Sequence, residues 1–174
     1  MPLSTEIKPA SFLRDAVMAG VMLALALALQ NLRLPNLVTG ALVNAIFTVT
    51  LSVAGLRSAL LLAGLTPVGA FLTGHLPPPL ILLMPVIIPG NIVYVIITGM
   101  LRRRTLAGEA VCAAAAKALF IGVGGGLLAR WTAMPHETQA LLWGIVGIQF
   151  FTAVAGTLLG EVVVSRVTRE NQPA

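Results

Sequence analysis

Residues 58–101 read SALLLAGLTPVGAFLTGHLPPPLILLMPVIIPGNIVYVIITGML and contain no Lys, Arg, Asp or Glu. A helix that crosses a membrane needs about 20 predominantly apolar residues, and this stretch is long enough for two such helices. The three consecutive prolines at 77–79 cannot continue a helix. We therefore predict two spans, at 58–73 and 80–101, joined by a short loop.

The remainder of the chain has the same character. Of its 174 residues, 57% are hydrophobic and 10% are charged, whereas a soluble domain carries about 25% charged residues. We predict an all-α, polytopic membrane protein with six transmembrane helices in a single membrane-embedded domain, 1–174. The predicted spans cover about 15–31, 38–56, 58–73, 80–101, 108–129 and 138–164. The loops that remain are short, so no room is left for an extramembrane catalytic domain.

The basic residues predict the orientation of the bundle. Cytoplasmic loops carry an excess of Lys and Arg, and an N-terminus inside the cell gives eight cations on that side against two outside. We therefore expect both termini to be cytoplasmic, in a multi-pass protein of the cell (plasma) membrane. The cytoplasmic set is Lys8, Arg14, Arg57, Arg102, Arg103, Arg104, Arg166 and Arg169, and the outer set is Arg33 and Arg130.

Lys117 is the most conspicuous polar residue of the spans. It lies about ten residues into the fifth span, which corresponds to a depth of about 15 Å. A lysine at that depth costs about 2.5–3.5 kcal/mol on insertion scales, so it needs a partner or a hydrated cavity. Two interpretations stay open: Lys117 anchors a carboxylate or phosphate of a substrate, or it forms an internal pair with Glu161 of the sixth span.

Three amides also fall within predicted spans, namely Asn44, Asn91 and Gln149, and Tyr94 follows Asn91 at helical spacing. Lipid satisfies neither amide donors nor acceptors, so these groups should face the interior of the bundle. Each amide alone is explained by a hydrogen bond between helices. Together with Lys117 they predict one central pocket, with the polar loop 31–36 as its gate. The candidate pocket residues are Asn44, Asn91, Tyr94, Lys117 and Gln149, and the gate contributes Asn31, Arg33 and Asn36.

The two histidines, His75 and His136, fall in predicted outer loops. They are either parts of a lid, ligands of a metal centre, or simply solvated loop residues. The single cysteine excludes an internal disulfide, and no Cys/His cluster has zinc spacing. We therefore predict no metal site and no cofactor. Only 5% of the residues are aromatic and they do not alternate with basic residues, so we also predict no nucleic-acid partner.

Small residues recur every four positions on the first span, at Ala16, Gly20, Ala24 and Ala28. Such a row lets another helix approach closely, and Gly156 and Gly160 repeat the pattern on the sixth span. Either row can pack inside the protein or dock a partner subunit. The triplet at 124–126 lacks the context of a phosphate loop and indicates close packing or a kink.

These features and two stretches of sequence, QNLRLPNLVTGALVNAIFTVTL (30–51) and LLAGLTPVGAFLTGHLPPPLILLMPVIIPGN (61–91), resemble the substrate-binding S component of an energy-coupling factor (ECF) transporter. Members of that family bind a vitamin or other micronutrient from outside. The resemblance implies a pocket between the later helices and the first loop, and partners consisting of a transmembrane coupling subunit and two cytoplasmic ATPases. It also implies that the Ala16, Gly20, Ala24 and Ala28 row docks the coupling subunit.

The sequence favours a substrate-capturing subunit that is not an enzyme. It contains no Walker motif, so energy for transport must come from other polypeptides. A structural or assembly subunit is the alternative, in which the buried polar residues only join helices. A membrane-embedded enzyme is the least favoured class, because we identify no acid–base pair or nucleophile–base pair in the spans. No signature of a biotin, thiamine or riboflavin binder is evident, so the substrate stays open.

Overall fold

The computed structural model describes residues 9–76, 78–102, 104–132 and 134–170, and these ranges form six α-helices. Each helix is long and apolar enough to cross a bilayer, which confirms the all-helical prediction at that level. The helices are α1 (Pro9–Asn31), α2 (Asn36–Val53), α3 (Gly55–Leu72), α4 (Pro78–Leu101), α5 (Leu106–Trp131) and α6 (His136–Glu170).

The helix ends differ from the predicted spans at several points. The α2–α3 junction lies at Ala54 and Gly55. It therefore precedes Arg57, the residue that separates the predicted spans 38–56 and 58–73. Gly55 has φ +83°, a left-handed conformation that glycine adopts at little cost, so the turn is made there and Arg57 lies in the first turn of α3. At the other end of the chain, α6 continues past the predicted limit of 164 to Glu170.

The connections divide the bundle into two ends. The end that carries the α1–α2, α3–α4 and α5–α6 connections is called the loop end below, and the opposite end is called the cationic end. Arg57, Arg102, Arg104 and Arg166 lie at the cationic end, whereas Arg33 and Arg130 lie at the loop end. The charge distribution predicts that the loop end faces outward.

The outer surface of the bundle is apolar. Large hydrophobic side chains are exposed on every helix, for example Phe12 on α1, Leu61 on α3, Leu119 on α5 and Phe151 on α6. A soluble protein rarely presents so much contiguous apolar surface, whereas lipid tails accept it without cost. The surface therefore agrees with the six membrane-spanning lengths.

Helices α2 and α6 pack most closely, and two glycines make this possible. A Cβ at Gly156 would meet the Cβ of Asn44 and lie 2.7 Å from the carbonyl oxygen of Ala41. A Cβ at Gly160 would lie 3.0 Å from the carbonyl oxygen of Ala45. The Gly156 and Gly160 row therefore packs inside the protein, against the backbone of α2.

The glycine triplet of α5 serves the same purpose without a break in the helix. A Cβ at Gly124 would lie 2.7 Å from Val86 of α4, and one at Gly125 would lie 2.6 Å from Leu142 of α6. Helix α5 is continuous through the triplet. The close-packing interpretation thus holds for Gly124 and Gly125, whereas a Cβ at Gly126 would meet nothing within 4 Å, and α5 lies between α4 and α6.

Helix α1 lies at the edge of the bundle, in contact with α2 and α3. Its buried residues include Ala19 and Ala26, while all four members of the small-residue row are exposed. A Cβ at Gly20 would meet nothing within 4 Å. The row on α1 therefore does not pack inside the protein, in contrast to the row on α6. Its members are Ala16, Gly20, Ala24 and Ala28.

The orientation is testable with cysteines at the two ends. In a Cys112→Ser background, we expect a membrane-impermeant maleimide to label Leu32→Cys in intact cells, because Leu32 lies exposed at the loop end. Arg104→Cys, at the cationic end, should be labelled only after the membrane is permeabilised. Labelling in the reverse pattern would invert the topology.

The two environments of the α6 glycines give a matched pair for stability. Gly156→Ala should lower the free energy of unfolding by about 1–3 kcal/mol, because the methyl group is forced onto the backbone of α2. Gly147→Ala has open space around its Cβ and should be neutral or stabilising by up to about 1 kcal/mol. Thermal unfolding in detergent measures both, and equal effects would contradict the close α2–α6 contact.

Candidate substrate-binding site

A cavity of about 550 Å³ lies inside the bundle and involves residues of all six helices. Pockets of roughly 300–1,000 Å³ hold small molecules. The α1–α2 and α3–α4 connections contribute to its lining, so it belongs to the loop end. The lining residues are Gln30, Arg33, Leu34, Asn36, Thr39, Gly40, Val43, Asn44, Phe47, Thr66, Pro67, Ala70, Thr73, Gly74, His75, Leu76, Leu80, Ile87, Asn91, Lys117, Ile145, Ile148, Gln149 and Thr152.

Six of the eight predicted site residues line this cavity: Arg33, Asn36, Asn44, Asn91, Lys117 and Gln149. The other two do not. Asn31 is exposed, and its amide nitrogen donates to the carbonyl oxygen of Leu27, 2.8 Å away in the same helix. Tyr94 is fully buried beside the cavity instead of lining it.

The register of the helices arranges the lining into three layers. Asn36 and Asn44 are eight residues apart on α2, which separates the mouth from the base by about 12 Å. The mouth combines polar groups with apolar residues at the loop-end termini of the helices, and the waist below it is mostly apolar. The apolar residues of the mouth are Leu34, Ala70, Leu76 and Leu80, and those of the waist are Val43, Ile87, Ile145 and Ile148. The base combines Phe47 with polar groups, namely Asn44, Thr66, Asn91, Lys117, Gln149 and Thr152.

Lys117 is the only charged residue at the base among the described lining residues. Its side chain is 2% exposed. The ammonium nitrogen donates to Oδ1 of Asn44 at 2.8 Å and lies 5.3 Å from the centre of the Tyr94 ring. An ammonium group has three donors, and the hydrogen bond to Asn44 uses one of them.

The alternative pairing of Lys117 with Glu161 does not occur. Glu161 lies toward the cationic end, where an oxygen of its carboxylate is 3.5 Å from Nε of Arg102. Across the described ranges, no carboxylate lies within ion-pair distance of Lys117. Helices α5 and α6 are neighbours. However, Lys117 lies near the middle of α5 and Glu161 lies near the cationic end of α6, so the two side chains do not meet.

Asn44 is held so that its oxygen faces Lys117. Its amide nitrogen donates to the carbonyl oxygen of Gly40 at 2.9 Å and to the hydroxyl of Thr152 at 3.4 Å. With both donors directed toward α2 and α6, the acceptor side of the amide is left for the ammonium. Asn44 thus joins α2, α5 and α6 at the base of the cavity.

Tyr94 supports the base from below. Its hydroxyl lies 2.7 Å from that of Thr157 on α6 and 3.1 Å from that of Thr48 on α2. The ring presents its π face to the Lys117 ammonium, an attractive arrangement for a desolvated cation. Tyr94 is therefore a positioning residue for Lys117, and direct contact with a bound molecule is not available to it in this structure.

Asn91 donates to a carbonyl oxygen that a proline leaves without its helical donor. Pro67 lies inside α3 and has no N–H to donate to the carbonyl oxygen of Ala63, four residues earlier. The amide nitrogen of Asn91 donates to that same oxygen at 3.5 Å. For this amide, the interpretation as a hydrogen bond between helices applies, although Asn91 also lines the cavity.

Unpartnered polar atoms lie at the mouth. Oε1 of Gln30 and Nδ1 of His75 are buried and have no hydrogen-bond partner within the described part of the chain. Arg33 lies beside them with φ 52°, a left-handed conformation that costs a residue with a side chain about 1–2 kcal/mol. Such strain is often found at functional sites.

The two histidines lie in different environments. His75 lines the cavity, whereas His136 is exposed at the start of α6 and does not line it. No group of three His, Cys, Asp or Glu side chains suited to a metal ion occurs in the described ranges. The pair of histidines therefore does not form one site here.

Sequence reasoning missed Gln30 and Thr152. Gln30 directly precedes the polar loop, and the helical phase at the end of α1 turns it inward while Asn31 turns outward. Thr152 follows Gln149 by three residues, a spacing that places both on one face of α6. In both cases, the polar side chain within an apolar helix was the feature of the sequence that could have indicated a role in the site.

A second, smaller cavity of about 260 Å³ lies at the cationic end. It contains Glu109, an acidic residue of the fifth span that the sequence reasoning also overlooked. Glu109 is buried, and its Oε1 has no hydrogen-bond partner among the residues that the structure describes. Its position in the first turn of α5 suits a carboxylate, because the helix N-terminus carries partial positive charge.

Comparisons of the chain with protein-family models, with curated proteins and with solved structures found no match. The geometry of the cavity and the surface of α1 are therefore the features that indicate a function.

The role of Tyr94 is open to a direct test. Tyr94→Phe removes the hydroxyl but leaves Thr48 and Thr157 their backbone acceptors at 3.2 and 3.0 Å. We expect a loss of about 1 kcal/mol, seen as a fall of about 2–4 °C in the unfolding midpoint. Thr168→Val, at an exposed hydroxyl bonded only within α6, should leave the midpoint unchanged. Equal midpoints for wild type and Tyr94→Phe would contradict the supporting role.

Proposed function

We propose that this chain is the substrate-capturing S component of an ECF-type ABC importer. In this function it binds a vitamin or other micronutrient from outside and docks onto a transmembrane coupling subunit with two cytoplasmic ATPases. The observation that carries the proposal is the cavity of about 550 Å³. It belongs to the end predicted to face outward and ends on the buried ammonium of Lys117.

The surface of α1 supports the docking half of the proposal. Ala16, Gly20, Ala24 and Ala28 are exposed along one face of the helix at the edge of the bundle. Small side chains allow the backbone of a second helix to approach closely, and packing and hydrogen bonding, not the hydrophobic effect, drive such contacts in lipid. In this proposal, a transmembrane helix of the coupling subunit is the partner that packs against this face.

The alternative, a structural or assembly subunit, explains part of the polar network. The hydrogen bonds of Asn91 and Tyr94 join helices and need no ligand. Lys117 also donates across helices, to Asn44, but such a hydrogen bond needs no charged donor and does not account for a buried cation beside a cavity of about 550 Å³. The capture function accounts for both features with one molecule.

Docking is tested by Gly20→Leu. Because the Cβ position of Gly20 is open, the variant should fold with an unchanged unfolding midpoint. The added isobutyl group should separate the two helix backbones and abolish copurification with the native coupling subunit and its ATPases. Affinity purification from membranes of cells that produce all subunits measures the effect.

Gly144→Leu is the matched control, since its Cβ position on α6 is equally open. This variant should copurify with the coupling subunit as wild type does. If wild-type protein also fails to copurify with an ECF module, the importer function is wrong, whatever the cavity binds. If Gly20→Leu copurifies normally, the α1 face is not the docking surface.

A further inference from the structure

We propose that the captured molecule is an amphipathic organic monocarboxylate whose carboxylate lies against Lys117. Its apolar middle would occupy the waist, and its distal end would carry N–H or O–H donors for Gln30 and His75. This inference rests on the proposed capture function and names the chemistry of the cargo.

The base of the cavity selects an anion. The Lys117 ammonium is almost fully buried, and its recorded contacts are a neutral amide and an aromatic ring. A buried charge without a counter-charge is costly, and no carboxylate of the described chain lies near enough to supply one. An anionic group of a bound molecule would supply that counter-charge and accept the remaining ammonium hydrogens.

The charge of the base favours a monoanion. A phosphomonoester carries about −1.5 to −2 at neutral pH, whereas Lys117 provides a single positive charge. The remaining polar groups of the base are the neutral side chains of Asn44, Thr66, Asn91, Gln149 and Thr152. A phosphate would leave about 0.5 to 1 negative charge buried and uncompensated, while a carboxylate would leave none.

The waist sets the character of the middle of the molecule. Val43 and three isoleucines surround it, and Phe47 lies just below as the one Phe, Tyr or Trp among the described lining residues. A saturated chain or ring fits these walls, since burial of its surface is favourable and needs no hydrogen bonds. A planar aromatic cofactor would find no pair of rings to stack between.

The mouth of the cavity determines which groups the distal end of the bound molecule would carry. Oε1 of Gln30 is an acceptor, and Nδ1 of His75 accepts in one of the two neutral tautomers. Both atoms are buried and unpartnered in the described structure, which is costly unless a ligand or water donates to them. A terminal amide, urea or hydroxyl, at the end of the molecule far from Lys117, would donate to these two atoms.

The orientation of the molecule follows from the exposure of the two cations. Arg33 at the mouth is exposed, so water already solvates its charge and an ion pair there contributes little. Lys117 is the cation for which a counter-ion matters. Asp and Glu are absent from the lining residues that the structure describes, which disfavours a cationic cargo.

The experiment compares three probes that share one alkyl chain: octanoate, octanamide and octylamine. Each is titrated onto purified protein in lipid nanodiscs, and the thermal unfolding midpoint is recorded. Saturating octanoate should raise the midpoint by about 5 °C or more. Octanamide should give a smaller rise, and octylamine should give none, because its ammonium would oppose that of Lys117.

Lys117→Met should weaken octanoate binding by about 30-fold or more, as expected when one partner of a buried charge pair is removed. Arg130→Met, which removes a cation from the same helix outside the cavity, should bind octanoate like wild type. A terminal urea added to octanoate should strengthen binding to wild type, and Gln30→Met should reduce that gain.

The proposal is overturned if octylamine or octanamide stabilises the protein as well as octanoate does, if none of the three stabilises it, or if Lys117→Met responds like wild type. These outcomes concern the cavity alone. Copurification with the coupling subunit is measured separately, so a wrong cargo class and a wrong importer function give different results.

Discussion

The burial of one ammonium group is the constraint around which the bundle is organised. Lys117 lies near the middle of α5, where lipid gives no compensation for its charge, so neighbouring helices must provide it. Asn44 provides an acceptor and Tyr94 provides the face of its ring. Each of these is itself held by threonines of α2 or α6, so the helices that form the base are joined through the groups that solvate Lys117.

That network requires helices that approach closely, and glycine makes the approach possible. Gly156 lies against α2 beside Asn44, which brings Thr152 within reach of the amide. Gly90 of α4 makes room for the side chain of Ile121, one turn from Lys117 on α5, where a Cβ would lie 2.7 Å from that side chain. A larger residue at either position would separate the donors from their acceptors before it affected the apolar contacts, because hydrogen bonds tolerate little extra distance.

Hydropathy and breakers predicted the number of helices, because span length and proline chemistry are local properties of the chain. The pairing of polar groups was less predictable, since it depends on helical phase and relative depth. Asn31 and Gln30 are adjacent, yet only Gln30 lines the cavity. Lys117 and Glu161 were both candidates for an ion pair, but Arg102 lies nearer to Glu161 at the cationic end. Polarity therefore predicted six of the residues that line the cavity, but it did not predict which groups those residues contact.

Helix α1 connects the two halves of the proposed function. Its inner face ends in Gln30 at the mouth of the cavity, while Gly20 and its neighbours face away from the bundle. Lipid alone gives no advantage to small residues on an exposed face, because larger apolar side chains fill the surrounding acyl region equally well. A partner helix does give one, because close backbone contact depends on small side chains. In the proposed function, the same helix would therefore contact the bound molecule on one side and the partner helix on the other, separated by the width of a single helix.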